Sequence, residues 1–438
     1  MNRREFGRLY TRALRGDAAA QRTLGHAYMR GEGVPPSPVE AARWLRLAAR
    51  AGDGEAKLLL ASLYLQGLAE AGEGDLFGGK PGTPDPEQAA TLARDAAEAG
   101  NVEAMALLAF LAANGQGVPK DLALAAHWYA RAAEAGSARA KLGLGLIRLT
   151  GGDGVTDKPM ACALIAQAAE AEIPTALYML GTLHEAGVEP LGFDEARAAR
   201  LYRRAAEAGV RPACARLGLA LLESWGVERN PIEAETWLRR AAIAGDAEAA
   251  ALVGDLHSSD ADGLPNHVEA FGWYRLAAEH GHRQAMRSLG LMYMRGLGAP
   301  PDAEEATRWL GRAVEAGDTQ AAADLGGLLQ RLGSDSAEAA QVADVFEKAA
   351  RGGDPVAAFN YAVCLKGGLG RPQDTAQAAE WMRHAGENGV VNALYWYGHM
   401  QLEAGDEGGR AWIERAADEG MAAAAAELGR PVTASAPG

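Results

Sequence analysis

The chain has 438 residues, well beyond the roughly 250–300 at which a single hydrophobic core stops growing. Its formal net charge is −14, from 43 Lys and Arg against 57 Asp and Glu. That balance argues against sequence-independent nucleic-acid binding, which requires cations at the phosphates. Apolar residues make up 48% of the chain but aromatics only 6%, so the interior must be built from small side chains. Glycine occurs 55 times, nearly twice its usual share of about 7%, and its spacing decides whether this means disorder or punctuation.

At the N-terminus, Met1-Asn2-Arg3-Arg4-Glu5-Phe6 has the look of a twin-arginine export signal. No apolar stretch follows; Arg8, Arg12, Arg15 and Asp17 interrupt the segment, and it reads as a charged helix. Leu9-Tyr10, Ala13-Leu14 and Gly16-Asp17 look like the end of a repeat, so residues 1–17 are expected to form an N-terminal capping helix. No run approaches the roughly 18 apolar residues of a membrane span.

From there the sequence repeats itself. Trp44 is followed by Ala48-Ala49 and Gly52, Trp128 by Ala132-Ala133 and Gly136, and Trp309 by Ala313-Val314 and Gly317. Trp237, Trp273, Trp381 and Trp412 carry the same pattern, with Leu92, Leu164, Leu201 and Val345 as weaker anchors. From Leu92 to Trp381 the step is 36 residues, once 37. About 20 residues before most anchors stands a Leu-Gly pair with an apolar residue four on and then Gly-x-Gly, complete in Leu24-Gly25, Tyr28, Gly31 and Gly33 and again in Leu289-Gly290, Tyr293, Gly296 and Gly298.

These spacings are helical. Ala41, Trp44, Leu45, Ala48 and Ala49 share one helix face, which defines a helix B; Leu24, Gly25 and Tyr28 define a helix A before it. Seven residues ahead of the anchors stand Ser37, Asp85, Asp121, Asp157, Asp194, Asn230, Asn266, Asp302 and Asp374, all good N-caps. The glycine eight residues after the anchor suits a left-handed helix end. The expected fold is all-α, an α/α superhelical solenoid of about eleven antiparallel helix pairs over residues 18–429, with a disordered tail at 430–438.

Three places break the rhythm. Repeat 2 carries a Gly- and Pro-rich insertion within 67–84, in which Gly74 to Pro81 imitates a phosphate-binding loop without its preceding strand or its Ser/Thr; it is read as a solvated loop. Repeat 4 has Glu172-Ile173-Pro174 where glycine is expected, so its helix B should be unable to close in the left-handed way, with a local change of superhelix angle. Repeat 11 is short, with 15 residues from Tyr397 to Trp412.

The combination L-G-x-x-Y-x-x-G-x-G-V followed by A-x-x-W-[YL]-x-x-A-A-x-x-G resembles the Sel1-like repeat family, relatives of tetratricopeptide repeats. The resemblance spans about residues 18–429 and implies a role in assembling complexes. It also implies that helix A lines a concave face through positions two before the Leu-Gly leucine and two, five and six after it. Arg22, His26, Met29 and Arg30 occupy them in repeat 1, and Glu185, Glu223 and Asp255 in the middle. In repeats 8 to 11 they are Arg287, Met294, Arg295, Arg331, Phe359, Lys366, Tyr395 and His399, a cationic and aromatic stretch in an acidic protein.

No catalytic triad, metal motif or nucleophile elbow accompanies the repeats. His280-Gly281-His282 straddles a helix end and reads as carbonyl and dipole contact. Cys162, Cys214 and Cys364 fall at unrelated repeat positions and are expected to be free, small core residues, which fits a reducing, cytoplasmic compartment. The expectation is a non-enzymatic adaptor without cofactor or metal. It would bind a protein or peptide with an acidic or aromatic segment at the eight residues of repeats 8 to 11, without nucleic acid or membrane insertion. The alternatives are a hydrolase or cell-wall-acting protein with a site in the groove, and a scaffold that makes its contacts through its ends.

Overall fold

In a computed structural model, residues 3–70, 82–259, 264–332, 334 and 336–429 are described. Twenty-four α-helices and no strand occur among them. The chain divides into two compact units, residues 1–229 and 230–438. The first holds α1 (Arg3–Leu14), α2 (Ala18–Arg30), α3 (Pro38–Arg50), α4 (Gly54–Leu65), α5 (Pro86–Glu98), α6 (Val102–Asn114), α7 (Leu122–Glu134), α8 (Ala138–Thr150), α9 (Lys158–Glu170), α10 (Pro174–Glu185), α11 (Glu195–Glu207) and α12 (Arg211–Glu223). The second holds α13 (Pro231–Ile243), α14 (Ala247–Ser258), α15 (His267–Glu279), α16 (Arg283–Arg295), α17 (Ala303–Glu315), α18 (Thr319–Leu329), α19 (Ala337–Arg351), α20 (Pro355–Gly367), α21 (Thr375–Glu387), α22 (Val391–Glu403), α23 (Gly409–Asp418) and α24 (Ala422–Glu427). Even-numbered helices from α2 are helix A and odd-numbered ones from α3 are helix B. The fold is the all-α repeat solenoid anticipated, with helix pairs α2/α3 to α10/α11 in the first unit and α14/α15 to α22/α23 in the second.

Small residues set the packing. Ala41, Leu45 and Ala48 of α3 are fully buried, and a Cβ on Gly25 of α2 would stand 2.6 Å from Cγ of Leu45. The helix axes come close because glycine stands there. The same contact recurs at Gly290, whose absent Cβ would meet Leu310 at 2.7 Å.

The N-cap residue of helix B does two tasks. Its side chain accepts from the first turn, as Asp302 does from the Glu305 N–H at 3.0 Å and Asp157 from Met160 at 2.9 Å. Its own N–H donates to a carbonyl in the last turn of helix A: Ser37 to Tyr28 at 2.9 Å, Asp121 to Ala112 at 2.9 Å, Asp302 to Tyr293 at 3.1 Å and Asp374 to Leu365 at 3.0 Å. One residue therefore satisfies orphan groups of both helices in its pair. The second glycine of Gly-x-Gly serves the neighbouring repeat. Gly298 has φ 78°, and a Cβ there would lie 2.2 Å from the carbonyl oxygen of His267, at the start of the preceding helix B.

Repeat 4 departs from expectation. Helix α9 does close in the left-handed way, with Glu172 itself at φ 57°. The Ile173 N–H reaches the Ala168 carbonyl at 3.2 Å, the bond that Ser137 makes to Ala132 at 2.9 Å after α7. The end geometry is set by packing and hydrogen bonding, and a side chain with a salt-bridge partner, Arg204, tolerates it. The imitation phosphate loop, Gly74 to Pro81, lies outside the described residues, as does the tail 430–438.

Candidate functional site

The eight residues singled out in repeats 8 to 11 all lie in the second unit. Four answer to the chain's own carboxylates. Arg287 on α16 donates from Nε to Asp324 on α18 at 2.5 Å. Lys366 on α20 stands 4.0 Å from Glu403 and lies over the Trp396 ring of α22, 5.0 Å from its centroid. Tyr395 and His399 of α22 both reach Glu427 on α24, at 3.0 and 3.1 Å, with their rings 4.5 Å apart. Met294 and Phe359 are half-buried. Arg295 and Arg331 are exposed and have no ion pair among the described residues. The cationic row is thus largely a ladder of pairs between successive repeats, with two free cations.

The first unit holds a different surface. Helices α4, α6 and α8 present a cleft of about 620 Å³ with Leu58, Phe110, Leu142 and Leu146 along it. These residues occupy the positions two before and two after the Leu-Gly leucine, where repeat 1 carries Arg22 and His26 and repeat 11 Tyr395 and His399. Phe110 is 47% exposed on this surface. The position rule applied to apolar residues would have found this cleft; reading it for charge passed it over.

Beneath the cleft lies Tyr129 of α7, 8% exposed. Tyrosine takes the same repeat position, one after the anchor, in Tyr202 and Tyr274. Tyr202 donates to Glu185, which also holds Arg216 at 3.1 Å. Tyr274 donates to Asp255 at 2.6 Å and meets Ser258 at 3.0 Å. Burial and the neighbouring carboxylate raise both phenols above their ordinary range, and burial raises the Asp255 carboxyl. Burial alone pushes Tyr129 up to about 12, and its hydroxyl has no hydrogen-bond partner among the described residues.

The Sel1 repeat family matches nine segments: residues 18–53, 54–101, 102–137, 174–210, 211–246, 247–282, 283–318, 355–390 and 393–421. The chain belongs to the Sel1 repeat family. Two helix pairs lie outside the matched segments, at 138–173 and 319–354, where Leu164 and Val345 stand at the tryptophan position. Among solved structures it is similar to c5321, a protective antigen present in uropathogenic Escherichia coli strains, at 29% identity and a TM-score of 0.66, over 96% of this chain and 89% of that one. It is also similar to a Sel1 repeat protein from Oxalobacter formigenes, at 27% identity and a TM-score of 0.51, over 74% of this chain and 89% of that one. No curated protein sequence matches it.

The other chemistry-bearing groups of this Sel1 repeat protein serve its packing. The three cysteines are free and buried; burial raises the Cys162 thiol and pushes Cys364 up to about 12, which disfavours a thiolate nucleophile. His280 Nδ1 lies 2.8 Å from the Leu276 carbonyl, the helix-end contact anticipated. His282 adds a role not foreseen: it caps α16, accepting from Ala285 at 3.1 Å, and meets Glu248 at 3.0 Å. Among the described residues no group of three or more His, Cys, Asp or Glu could hold a metal ion, and no helix is long and apolar enough to cross a membrane.

Proposed function

We propose that this Sel1 repeat protein is a non-catalytic adaptor that binds a partner protein along the helix-A faces of its repeats. Sel1 repeat proteins are generally protein-interaction scaffolds. The observation that carries the reading here is the open apolar cleft of α4, α6 and α8, because a contiguous exposed apolar surface on a soluble chain marks an interaction site. The row from Arg287 to His399 is a second contact in this reading. Arg295 and Arg331 are its free cations and Phe359 its aromatic residue, for an acidic or aromatic-anchored segment. Residues 1–17 cap the solenoid of 18–429, and the three free thiols suit a cytoplasmic setting.

The test is affinity capture from the native cell with the tagged full chain. Arg295→Glu with Arg331→Glu, or Leu142→Asp with Leu146→Asp, should each lower recovery of the partner at least tenfold with an unchanged helical signal. Reversal of the exposed Arg383 on α21 is the control. Capture at the second contact should weaken as salt rises, since rim charges are screened. Wild-type recovery by both groove variants would move the contacts to the ends of the solenoid.

A further inference from the structure

Tyr129, Tyr202 and Tyr274 share one repeat position, yet only two of the three have an acceptor. Glu185 and Asp255 stand at helix-A face positions and take the phenols of Tyr202 and Tyr274. In repeat 3 the corresponding positions are Phe110 and Ala113, which cannot accept. The ring is also placed differently. Tyr202 and Tyr274 pack on Gly181 and Gly254 of their own helix A, whose absent Cβ atoms would lie 2.7 Å from the rings. Repeat 3 has Ala109 at that place, and Tyr129 instead lies against the next helix A, where a Cβ on Gly143 would be 2.4 Å from the ring. The displaced ring forms part of the cleft lining, nine-tenths buried and with an unanswered hydroxyl. The hydroxyl is not sealed from solvent, so an occupant that brings an acceptor can reach it from the cleft.

We propose that the cleft docks a peptide segment of a partner protein, which seats a bulky apolar side chain among Leu58, Phe110, Leu142 and Leu146 and offers a main-chain carbonyl to the Tyr129 hydroxyl. This rests on the adaptor reading and names the chemistry of its partner. The rim argues for a peptide over a bare hydrocarbon. Glu103 on α6 and Arg139 on α8 line the same cleft, both exposed, with no ion pair among the described residues. An apolar anchor flanked by a base on the α6 side and an acid on the α8 side complements them. Long-range steering and register come from such rim pairs, while the anchor and the carbonyl set the dissociation rate.

The experiment pans a phage-displayed library of random dodecamer peptides against the full chain and titrates the enriched peptides, labelled, by fluorescence anisotropy. The enriched peptides should share a bulky apolar residue with one basic and one acidic flank. Leu142→Asp with Leu146→Asp should weaken them at least tenfold. Tyr129→Phe should weaken them about three- to tenfold, the size of one hydrogen bond, while the free protein melts no lower than wild type. A purely structural hydroxyl would give the opposite split: lower melting and unchanged binding. Glu103→Arg with Arg139→Glu should enrich peptides with the flanks exchanged. Peptides that bind both the Tyr129→Phe and the Leu142→Asp, Leu146→Asp proteins at wild-type strength would overturn the proposal and leave the adaptor reading standing. A library that yields no binder at all would count against both. A cleft that takes the dye 1-anilinonaphthalene-8-sulfonate but no peptide would overturn the peptide assignment in favour of a small apolar ligand.

Discussion

Glu172 holds φ at 57° to close α9, a conformation that costs an ordinary L-residue about 1–2 kcal/mol. Its ion pair with Arg204 is exposed and returns well under about 1 kcal/mol. Glu172→Gly should therefore stabilise the chain by about 0.5 kcal/mol, after the added flexibility of the unfolded state is deducted; a denaturation midpoint that shifts to lower denaturant would refute this. Trp309 works in the other direction. It is 3% exposed, donates from Nε1 to Glu305 at 3.0 Å and carries the Arg312 guanidinium 4.7 Å from its ring centroid. The Glu and Arg partners recur around Trp237. Trp309→Ala should cost about 3–5 kcal/mol, read from urea unfolding. The tryptophan register was plain in the sequence. The Glu and Arg that clasp each ring were not, because charged residues on a helix face are common and only the rotamers reveal their target.

Among the elements, α10 carries a buried histidine. His184 is 2% exposed, and neither ring nitrogen has a hydrogen-bond partner among the described residues. Burial, aided by the Arg197 charge, lowers its pKa from the ordinary value of 6.5. The unfolded chain then binds the proton more readily than the folded one. Stability from this site is complete above about pH 6.5 and falls as the pH drops toward the depressed folded value. His184→Leu should flatten the stability profile between pH 7 and pH 5; an equal slope in the variant would place the titration elsewhere. Helix ends were the most legible elements, since a Ser, Asp or Asn seven residues before the anchor has one good use. Asp302→Ala should cost about 1 kcal/mol, measured the same way. The end of α9 was misjudged because the sequence rule weighs the residue's own preference alone. In the structure the hydrogen bonds at Glu172 and Ile173, at 3.0 and 3.2 Å, hold the turn against that preference.

At the scale of the molecule, helix pairs within each unit lean on their immediate neighbours, as repeats do. Damage at Trp309 should speed amide exchange in α16 to α19 and leave α2 to α5 at wild-type protection. Uniform acceleration along the chain would contradict a nearest-neighbour fold. Fold class and repeat count could be read from the 36-residue step, whereas the cleft could not be read from any single repeat. It takes Leu58, Phe110 and Leu142 from three helices to make one surface, with Tyr129 deflected beneath it by an alanine at position 109. The double duty of the helix-B N-caps has a further consequence. Because each hairpin is clasped by its own residues, a whole period is a removable cassette. Deleting residues 247–282 joins Asp246 directly to Arg283, leaving an aspartate to cap α16 in place of His282. The shortened gene should yield a monodisperse protein lacking one helical hairpin, while a cut displaced by half a period, through α15, should yield an insoluble product.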